Sequence, residues 1–497
     1  MSKANPQLLL AWALLTACGG EVDSASSGAN GTGAAESPSA SVSEADQDMP
    51  SGGLPVASNA TPIAAPTISQ TCSVAAFAPA AWGMQLPAAV RTAHELRCQG
   101  LGYGPWLAAT GQGEATVMFV TNAGTFSTHL FNLHAGAVEA LDLTNPDSAT
   151  NVLTRDASGG VALFVGEKPG IELLRRDHTR WTAEPVVHGE TDSAILADAH
   201  VAKDAQYAVY YQLTDGRPRL AQRTEQNADW QTSVLSQDTV TALALDVDAT
   251  GKPWVAWLAD RDQRLRLQLF TPDARTLEIW SSQSSSRTHF WRPPIVLSGG
   301  LSGRGAHPAL AIQHDDGIHV LAPGLDGATW ADHVVADSAS VTRKTDCPAT
   351  IAPSPEGCGS KTSCSAESSG AQPGIGFVRV REGETYLAWI QASSKLEYGL
   401  SEVVPEFGQP GLKQCRAELR AQQGSTELMI ARVGLDGAMG PQPAMRLKFQ
   451  LNGPLTELSR NLTMTSYGDS LMIAASLTTS ADSKLVYLEV DTRAMAQ

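Results

Sequence analysis

The chain has 497 residues and a formal net charge of −16, so it offers little to attract a phosphate backbone. That charge argues against a nucleic-acid partner and against docking on anionic lipid by electrostatic attraction, so we predict neither. Beyond the N-terminal region, no segment of the sequence is long and apolar enough to span a bilayer.

The N-terminal residues have the features of an export signal. Lys3 precedes an apolar run, Leu8–Ala17, which is too short for a bilayer span of ~20 residues but suits a signal-peptide core. The run ends in Leu15-Thr16-Ala17-Cys18, which resembles the lipobox of bacterial lipoproteins. The resemblance implies that residues 1–17 are removed, that acylated Cys18 anchors the protein in membrane lipid, and that Gly19 directs it to the outer membrane, facing the periplasm or the cell surface. An ordinary secretory signal with a chance cysteine is the alternative.

After the signal the composition changes to Ala, Ser, Gly and Pro. This stretch contains six acidic residues, no Lys or Arg, and too few apolar residues to form a core. We therefore predict a disordered tether over residues 18–70 and a folded domain over residues 71–497. A coil of this length spans roughly 40 Å, enough to lift the domain off the lipid surface.

Cysteine usage agrees with export. Apart from Cys18, the chain contains an even number of cysteines, which predicts disulfide bonds in an exported protein. The six candidates are Cys72, Cys98, Cys347, Cys358, Cys364 and Cys415. No C-x-x-C pair occurs among them, so we predict no zinc site.

Four tryptophans, Trp181, Trp230, Trp280 and Trp330, recur at intervals of 49, 50 and 50 residues. Each interval contains short apolar runs separated by Gly and Asp turns, which is typical of a repeated four-stranded sheet unit. We expect the tryptophans to pack between neighbouring units. Units of this length resemble the blades of a β-propeller, although the signatures of WD40 and kelch repeats are missing. The predicted fold class is therefore all-β.

We predict seven blades of four antiparallel strands, at 105–143, 151–187, 195–236, 241–283, 292–336, 373–449 and 460–491. The last unit shows only three strands. The segment that begins at Ala81-Trp82 is similar to the start of the fourth strands elsewhere, so we expect it to complete the last blade and close the ring. A disulfide between Cys72 and Cys98 would staple this closure. Six or eight blades remain open.

Two Ser/Gly/Pro-rich excursions, at about 337–372 and 392–426, interrupt the repeat. In a propeller, the connection between blades and the turn between the second and third strands emerge on the same face. We therefore expect both excursions to lie side by side as long loops on one rim. They contain the last four cysteines, which allow three pairings. Long loops held on a rigid scaffold are where binding usually occurs.

The same face should also carry short turns rich in acids, arginines and an aromatic residue. The candidate binding residues are Asp215, Asp260, Arg261, Asp262, His314, Asp315, Trp291 and Arg292. Four histidines of the fifth unit raise the possibility of a metal site: His307, His314, His319 and His333. They fall on different strands and turns, so we interpret them as surface histidines and predict no metal.

Catalytic motifs do not decide the function. The sequence contains no G-x-S-x-G, no H-E-x-x-H and no P-loop, and it gives no reason to expect a cofactor. We predict a monomeric binding or scaffold lipoprotein that holds an envelope protein or glycan. The alternative is a hydrolase or lyase that acts on a cell-envelope polysaccharide.

Overall fold

The computed structural model describes residues 60–495, with gaps that fall mostly in turns. Residues 1–59, which include the predicted signal peptide, Cys18 and most of the predicted tether, lie outside the described residues. The longer internal gaps are 144–150, 188–193, 284–294, 299–307, 344–349, 352–363, 404–413, 435–444 and 450–461.

The described chain is a seven-bladed β-propeller, which confirms the predicted fold class. Seven antiparallel sheets form a ring, and within each blade the strands run from the inside of the ring outward. Four strands precede the first blade: β1 (Thr61–Pro62), β2 (Thr67–Ile68), β3 (Cys72–Ala76) and β4 (Val90–Cys98). A 3-10 helix, Pro79–Trp82, lies between β3 and β4.

Blades 1 to 5 follow in chain order. Blade 1 comprises β5 (Leu101–Gly111), β6 (Glu114–Asn122), β7 (Phe126–Asn132) and β8 (Ala137–Leu141). Blade 2 comprises β9 (Asn151–Arg155), β10 (Val161–Glu167), β11 (Gly170–Asp177) and β12 (Arg180–Val187). Blade 3 comprises β13 (Ala194–Val201), β14 (Ala205–Gln212), β15 (Pro218–Thr224) and β16 (Asn227–Val234). Blade 4 comprises β17 (Val240–Val247), β18 (Pro253–Arg261), β19 (Arg264–Phe270) and β20 (Thr276–Gln283). Blade 5 comprises β21 (Ile295–Ser298), β22 (Ala309–His314), β23 (Gly317–Pro323) and β24 (Trp330–Asp337).

The last two blades are less regular. Blade 6 includes two short strands, β25 (Ser340–Arg343) and β26 (Thr350–Ile351), beside β27 (Cys364–Arg381), β28 (Glu384–Val403), β29 (Gln414–Val433) and β30 (Met445–Phe449). Blade 7 comprises β31 (Leu462–Tyr467), β32 (Ser470–Thr478) and β33 (Ser483–Asp491), and α1 (Thr492–Met495) follows it. No helix in the part of the chain that the structure describes is long and apolar enough to cross a membrane.

The core lies between blades. The second strand of each blade is the most apolar, because neighbouring blades cover both of its faces. In β18, for example, Val255, Trp257 and Leu258 have no exposed surface. Trp181 is buried in the cluster between blades 1 and 2, and Trp280 packs against the cluster between blades 4 and 5. The regular tryptophans therefore pack between blades, as the repeat predicts.

The N-terminal region closes the ring, but with different residues from those predicted. Strand β4 pairs with β33 and becomes the fourth strand of blade 7. Trp82, which we expected to open that strand, ends the 3-10 helix instead. Pro79 suits the first turn of this helix, and Gly83, with a φ of 63°, ends it. The prediction was wrong because a tryptophan after small residues occurs in both settings.

A disulfide holds the closing strand in place. Cys72 and Cys98 are bonded, which confirms the predicted pair, and their Cα atoms lie 4.3 Å apart. The bond joins the first residue of β3 to the last residue of β4. The closing strand is therefore paired with β33 on one side and attached to β3 on the other.

Residues 61–76, which we call the belt, run along the outer rim of three blades. Strand β1 pairs with the outermost strand of blade 2, β2 with that of blade 1, and β3 with β4 of blade 7. The predicted tether includes residues 61–70 because most of them are Ala, Pro, Thr or Ser. Their backbone groups nevertheless pair with the blades, so the predicted start of the folded domain at residue 71 is about ten residues too late.

Replacing Trp82 with Ala should lower the free energy of unfolding by about 3–5 kcal/mol, because its ring is buried between blades 6 and 7. Trp82→Phe should cost less, because an aromatic ring still packs against Phe449. Its cost comes from losing the hydrogen bond that the indole donates to Glu95 Oε2 (2.9 Å). Urea unfolding of the two variants measures the difference. Equal losses would contradict a packing role for the ring.

Candidate binding face

The turns between second and third strands share one face with the connections between blades, as predicted. The amide of Val240, which begins blade 4, donates to the carbonyl of Gly216 in the β14–β15 turn at 2.9 Å. Arg261, in the β18–β19 turn, lies 3.7 Å from Asp238 in the β16–β17 connection. Gly216 has a φ of 63°, and a Cβ there would lie 2.5 Å from Thr239, so a larger residue would clash. We call this surface the turn face.

Asp215 shapes its own turn. Its Oδ1 accepts a hydrogen bond from the amide of Arg217 at 3.0 Å, and its Oδ2 accepts one from the Arg219 guanidinium at 2.6 Å. Both oxygens are therefore engaged within the turn, which is a common structural role of aspartate. Leu213, two residues earlier, is 53% exposed and adds an apolar spot to the turn face.

Arg261 and Asp262 are far more accessible. Their side chains are 61% and 74% exposed, and the 3.7 Å contact between them is a surface ion pair of little strength. Asp262 has a φ of 57°, a left-handed conformation that aspartate tolerates. Asp260 precedes them and pairs through its backbone with Leu265. This turn presents both signs of charge to a ligand.

Three predicted residues of this face, Asp315, Trp291 and Arg292, lie outside the described residues, as does His307.

The interpretation of His314 and His319 as surface histidines is wrong. Both are buried, with 5% and 3% of their surface exposed. They lie on neighbouring strands of blade 5, and both rings pack edge-on against Trp280 of blade 4 at centroid distances of 5.5 and 5.6 Å. The histidines therefore belong to the packing between these two blades.

Hydrogen bonds join these residues into one group. His319 Nδ1 lies 2.8 Å from Asp332 Oδ1, and His319 Nε2 lies 3.0 Å from Asp316 Oδ1. An ionised carboxylate can only accept, so both ring nitrogens donate and the ring is an imidazolium. Trp280 Nε1 donates to the second oxygen of Asp332 at 2.9 Å, and His314 Nδ1 contacts Asp316 at 2.8 Å. We call these five residues the histidine cluster.

The cluster alters the titration of its members. Burial lowers the pKa of His319, but hydrogen bonds with Asp316 and Asp332 outweigh it and raise the pKa above its ordinary value. Burial raises the pKa of Asp316, but hydrogen bonds from His319 and His314 bring it below the ordinary value. Within the described ranges, no three His, Cys, Asp or Glu side chains are placed to hold a metal ion. The charged contacts of the cluster lie within blade 5, and the Trp280 indole, which donates to Asp332, links them to blade 4.

Two further titratable residues lie on the inner strand of blade 3. Burial raises the pKa of Asp198 to about 6, even though the amides of Leu245 and Ala199 donate to its two oxygens. Burial lowers the pKa of His200 to about 4. Because Leu245 lies on the inner strand of blade 4, Asp198 fastens two blades together.

Both predicted excursions enter one sheet and are not the loops that we expected. Its strand order is β25-β27-β28-β29-β26. Strand β30 pairs only with Thr426–Ile430, yet β28 and β29 stay paired out to Val403 and Gln414. Residues 393–403 thus add about 36 Å of strand beyond the ordinary blade. We call residues 364–369, 393–403 and 414–425 the blade 6 extension.

The strand register restricts the possible disulfides. Cys364 on β27 is opposite Tyr398 of β28, and Cys415 on β29 is opposite Glu402 of the same strand. The two cysteines are thus two strands apart, about 9.5 Å, and offset along the sheet by about 13 Å. A disulfide requires Cα atoms within about 7 Å, so this pair is excluded. Cys347 and Cys358 lie outside the described residues.

Comparisons with known protein families and with curated proteins give no match. Among solved structures, the chain is similar to an ulvan lyase, a polysaccharide lyase, at 10% identity over 79% of this chain and 95% of that chain, with a TM-score of 0.38. A protein from Lactobacillus plantarum matches at 10% identity over 68% of this chain and 100% of that chain, with a TM-score of 0.31. A prolyl endopeptidase matches at 13% identity over 57% of this chain, with a TM-score of 0.30, and the chain spans only 42% of its length. Likenesses this distant carry no conclusion about activity or ligand.

Replacing His319 with Gln should lower the free energy of unfolding most near pH 6 and least near pH 9. The folded-state pKa of His319 is raised, so its contribution is complete below the unfolded pKa and is lost as pH rises through the folded pKa. Two hydrogen bonds to carboxylates suggest about 1.5–3 kcal/mol at pH 6. Urea unfolding at several pH values measures this. His333→Gln, on the same blade, is the control, and a loss that does not vary with pH would contradict the imidazolium assignment.

Peptide mapping of the unreduced protein should show no link between Cys364 and Cys415. If the four cysteines are paired, the strand register leaves two pairing schemes. The first is Cys347–Cys364 with Cys358–Cys415, and the second is Cys347–Cys415 with Cys358–Cys364. Mass spectrometry of proteolytic fragments, with the Cys72–Cys98 peptide as an internal control, distinguishes the two. A Cys364–Cys415 peptide would show that the register of β27, β28 and β29 is incorrect.

Proposed function

We propose that this protein is a lipid-anchored lipoprotein of the cell envelope whose propeller holds a protein or glycan partner. The apolar run Leu8–Ala17 and the lipobox-like Leu15–Cys18 support export and acylation. The acidic, coil-forming composition of the tether supports a domain held at a distance from the membrane. On this proposal the propeller is attached to the outer membrane, on its periplasmic or outer side.

The observation that carries the binding role is the blade 6 extension. Strand β18 of blade 4 has 9 residues, whereas the equivalent strand β28 has 20. The extra residues begin on the turn face, because that is where the second strand of a blade turns into the third. Folding these residues into paired strands costs conformational entropy, and the ring does not need them in order to close. A structured addition to a rigid scaffold is typical of a recognition surface.

The chemistry of the turn face fits a polar macromolecular partner. Arg261 and Asp262 present opposite charges, and Leu213 adds apolar surface. Such a mixture suits the polar rim of a protein interface or the hydroxyl groups of a glycan. On the inner strands, Asp198 is engaged by two amides and serves as a tie between blades. We favour binding over the alternative, a hydrolase or lyase that acts on a polysaccharide, because the sequence offers no recognisable pair of nucleophile and base.

The full chain with Cys18→Ser, immobilised, should capture a protein or glycan from a cell-envelope extract and lose it when the extension is removed. The matched variant replaces residues 393–425 with Asn-Gly, which joins Ala392 to Thr426, two residues that already pair. Cys347, Cys358 and Cys364 are changed to Ser in this variant to avoid unpaired thiols. Gel analysis and sugar analysis identify what each protein retains.

Thermal unfolding must first show that the shortened variant keeps its propeller. Equal capture by both proteins would contradict a role for the extension, and polysaccharide recovered as shortened fragments would support the enzymatic alternative. The Cys18→Ser change should also release the protein from the membrane fraction. Retention in that fraction would contradict the lipid anchor.

A further inference from the structure

The outer rim of the propeller is covered unevenly. The belt pairs with the outer strands of blades 2 and 1 and with β4 of blade 7, and Trp82 packs on Phe449 of blade 6. The outer strands of blades 3, 4 and 5, namely β16, β20 and β24, end their sheets without a further strand among the described residues. Unpaired edge strands readily accept an extended chain, and proteins usually protect them.

Comparing equivalent positions of the repeat shows which residue stops strand addition at the covered edge of blade 2. Pro185 of blade 2 is 49 residues before Val234 of blade 3 and 149 residues before Val334 of blade 5, so the three occupy equivalent positions. Proline has no amide hydrogen and ends strand addition at that point. Val234 and Val334 keep their amides, and 43% and 57% of their surface is exposed. Blades 3 and 5 therefore lack the protection that blade 2 has.

Backbone alternation turns one of these amides outward. The amide of Leu235 donates inward to the carbonyl of Pro218 at 2.9 Å, so the preceding amide, that of Val234, faces the open edge. The belt shows that such an edge binds a strand, because the amide of Ile63 donates to the carbonyl of Trp181 on blade 2 at 3.0 Å. Trp230 is the equivalent of Trp181 on blade 3.

Charge distinguishes the open edges from the covered ones. The strands under the belt carry charges of both signs: Arg91, Arg97 and Arg180, with Glu95, Glu139 and Glu184. The three open strands contain no Lys or Arg, and exposed Asp229 and Asp337 lie on those of blades 3 and 5. The residues before the belt provide no complement, because residues 18–59 contain six acids and no Lys or Arg. Charge therefore favours a basic segment from another molecule.

We propose that the outer strands of blades 3 and 5 are strand-addition sites for an extended, Lys- or Arg-containing segment of a partner protein. The segment pairs with the edge as the belt pairs with blade 2, and its basic side chains lie near Asp229 or Asp337. Strand addition of this kind is a recurring mode of peptide recognition. The site lies on the outer rim, so it is independent of the turn face and of the blade 6 extension.

A short fluorescein-labelled peptide in which Val alternates with Thr and Lys should bind the full chain, and its Glu-for-Lys analogue should not. Val234→Pro combined with Val334→Pro should weaken binding by about five- to tenfold, because each edge loses an amide donor. Fluorescence anisotropy at low salt measures the affinity. Bound peptide should also slow hydrogen exchange at residues 230–234 and 330–334.

The matched control is Val234→Thr with Val334→Thr, which keeps both amides and should retain most of the affinity. Proline already occupies the equivalent position in blade 2, so the proline variant should fold, and its thermal unfolding checks this. No binding of the Lys peptide, or equal binding by the proline variant, would overturn the proposal. So would an amide of Val234 already protected in the free protein, since the chain itself would then cover this edge. None of these results bears on capture through the blade 6 extension.

Discussion

The structure depends on closing the ring, because every blade buries its two faces against its neighbours. Blade 7 reaches this state only when β4, from the N-terminal side, pairs with β33 from the C-terminal end. Leu96 of β4 and Tyr487 of β33 then enter the apolar cluster shared with blade 1, while Trp82 enters the cluster shared with blade 6. Without β4, the contacts on both sides of blade 7 would be incomplete. One pairing between distant parts of the chain thus controls two interfaces.

This closure also explains the belt. If the closing strand comes from the N-terminal side, the chain before it must leave along the outer rim of the ring. There it pairs with the edges of blades 7, 1 and 2 in turn, and it reaches blade 2 at Thr61. The Cys72–Cys98 disulfide fixes the end of the belt nearest the closing strand. A pull on the N-terminus would therefore load β1 and β2, which are two residues each, before it loads the ring.

Local signals in the sequence predict much of the fold. The tryptophan spacing and the apolar second strands locate the blades, since both follow directly from packing between repeated sheets. The closing strand was missed because its identity depends on which distant strand it pairs with, and Trp82 resembled a repeat position more closely than Val90–Cys98 did. The sequence predicts a loop over residues 392–426 because Ser, Gly and Gln are poor indicators of strand. The pairing of residues 393–403 with residues 414–425 depends on contacts that a local pattern does not reveal.

The same reasoning separates structural residues from functional ones. A feature shared by several blades, such as Trp181 and its equivalents, is explained by packing between blades. The sequence does not reveal the histidine cluster for a related reason: pairing of β23 with β24 brings Asp332 to His319, and packing of blade 4 on blade 5 brings Trp280 to both. Features that depart from the repeat and add no packing to the ring need another cause. The length of β28 is of this second kind, so partner recognition is sought first at the blade 6 extension. The open edges of blades 3 and 5 are a separate place, because Pro185 and the belt protect the edge of blade 2 and no described strand covers these two.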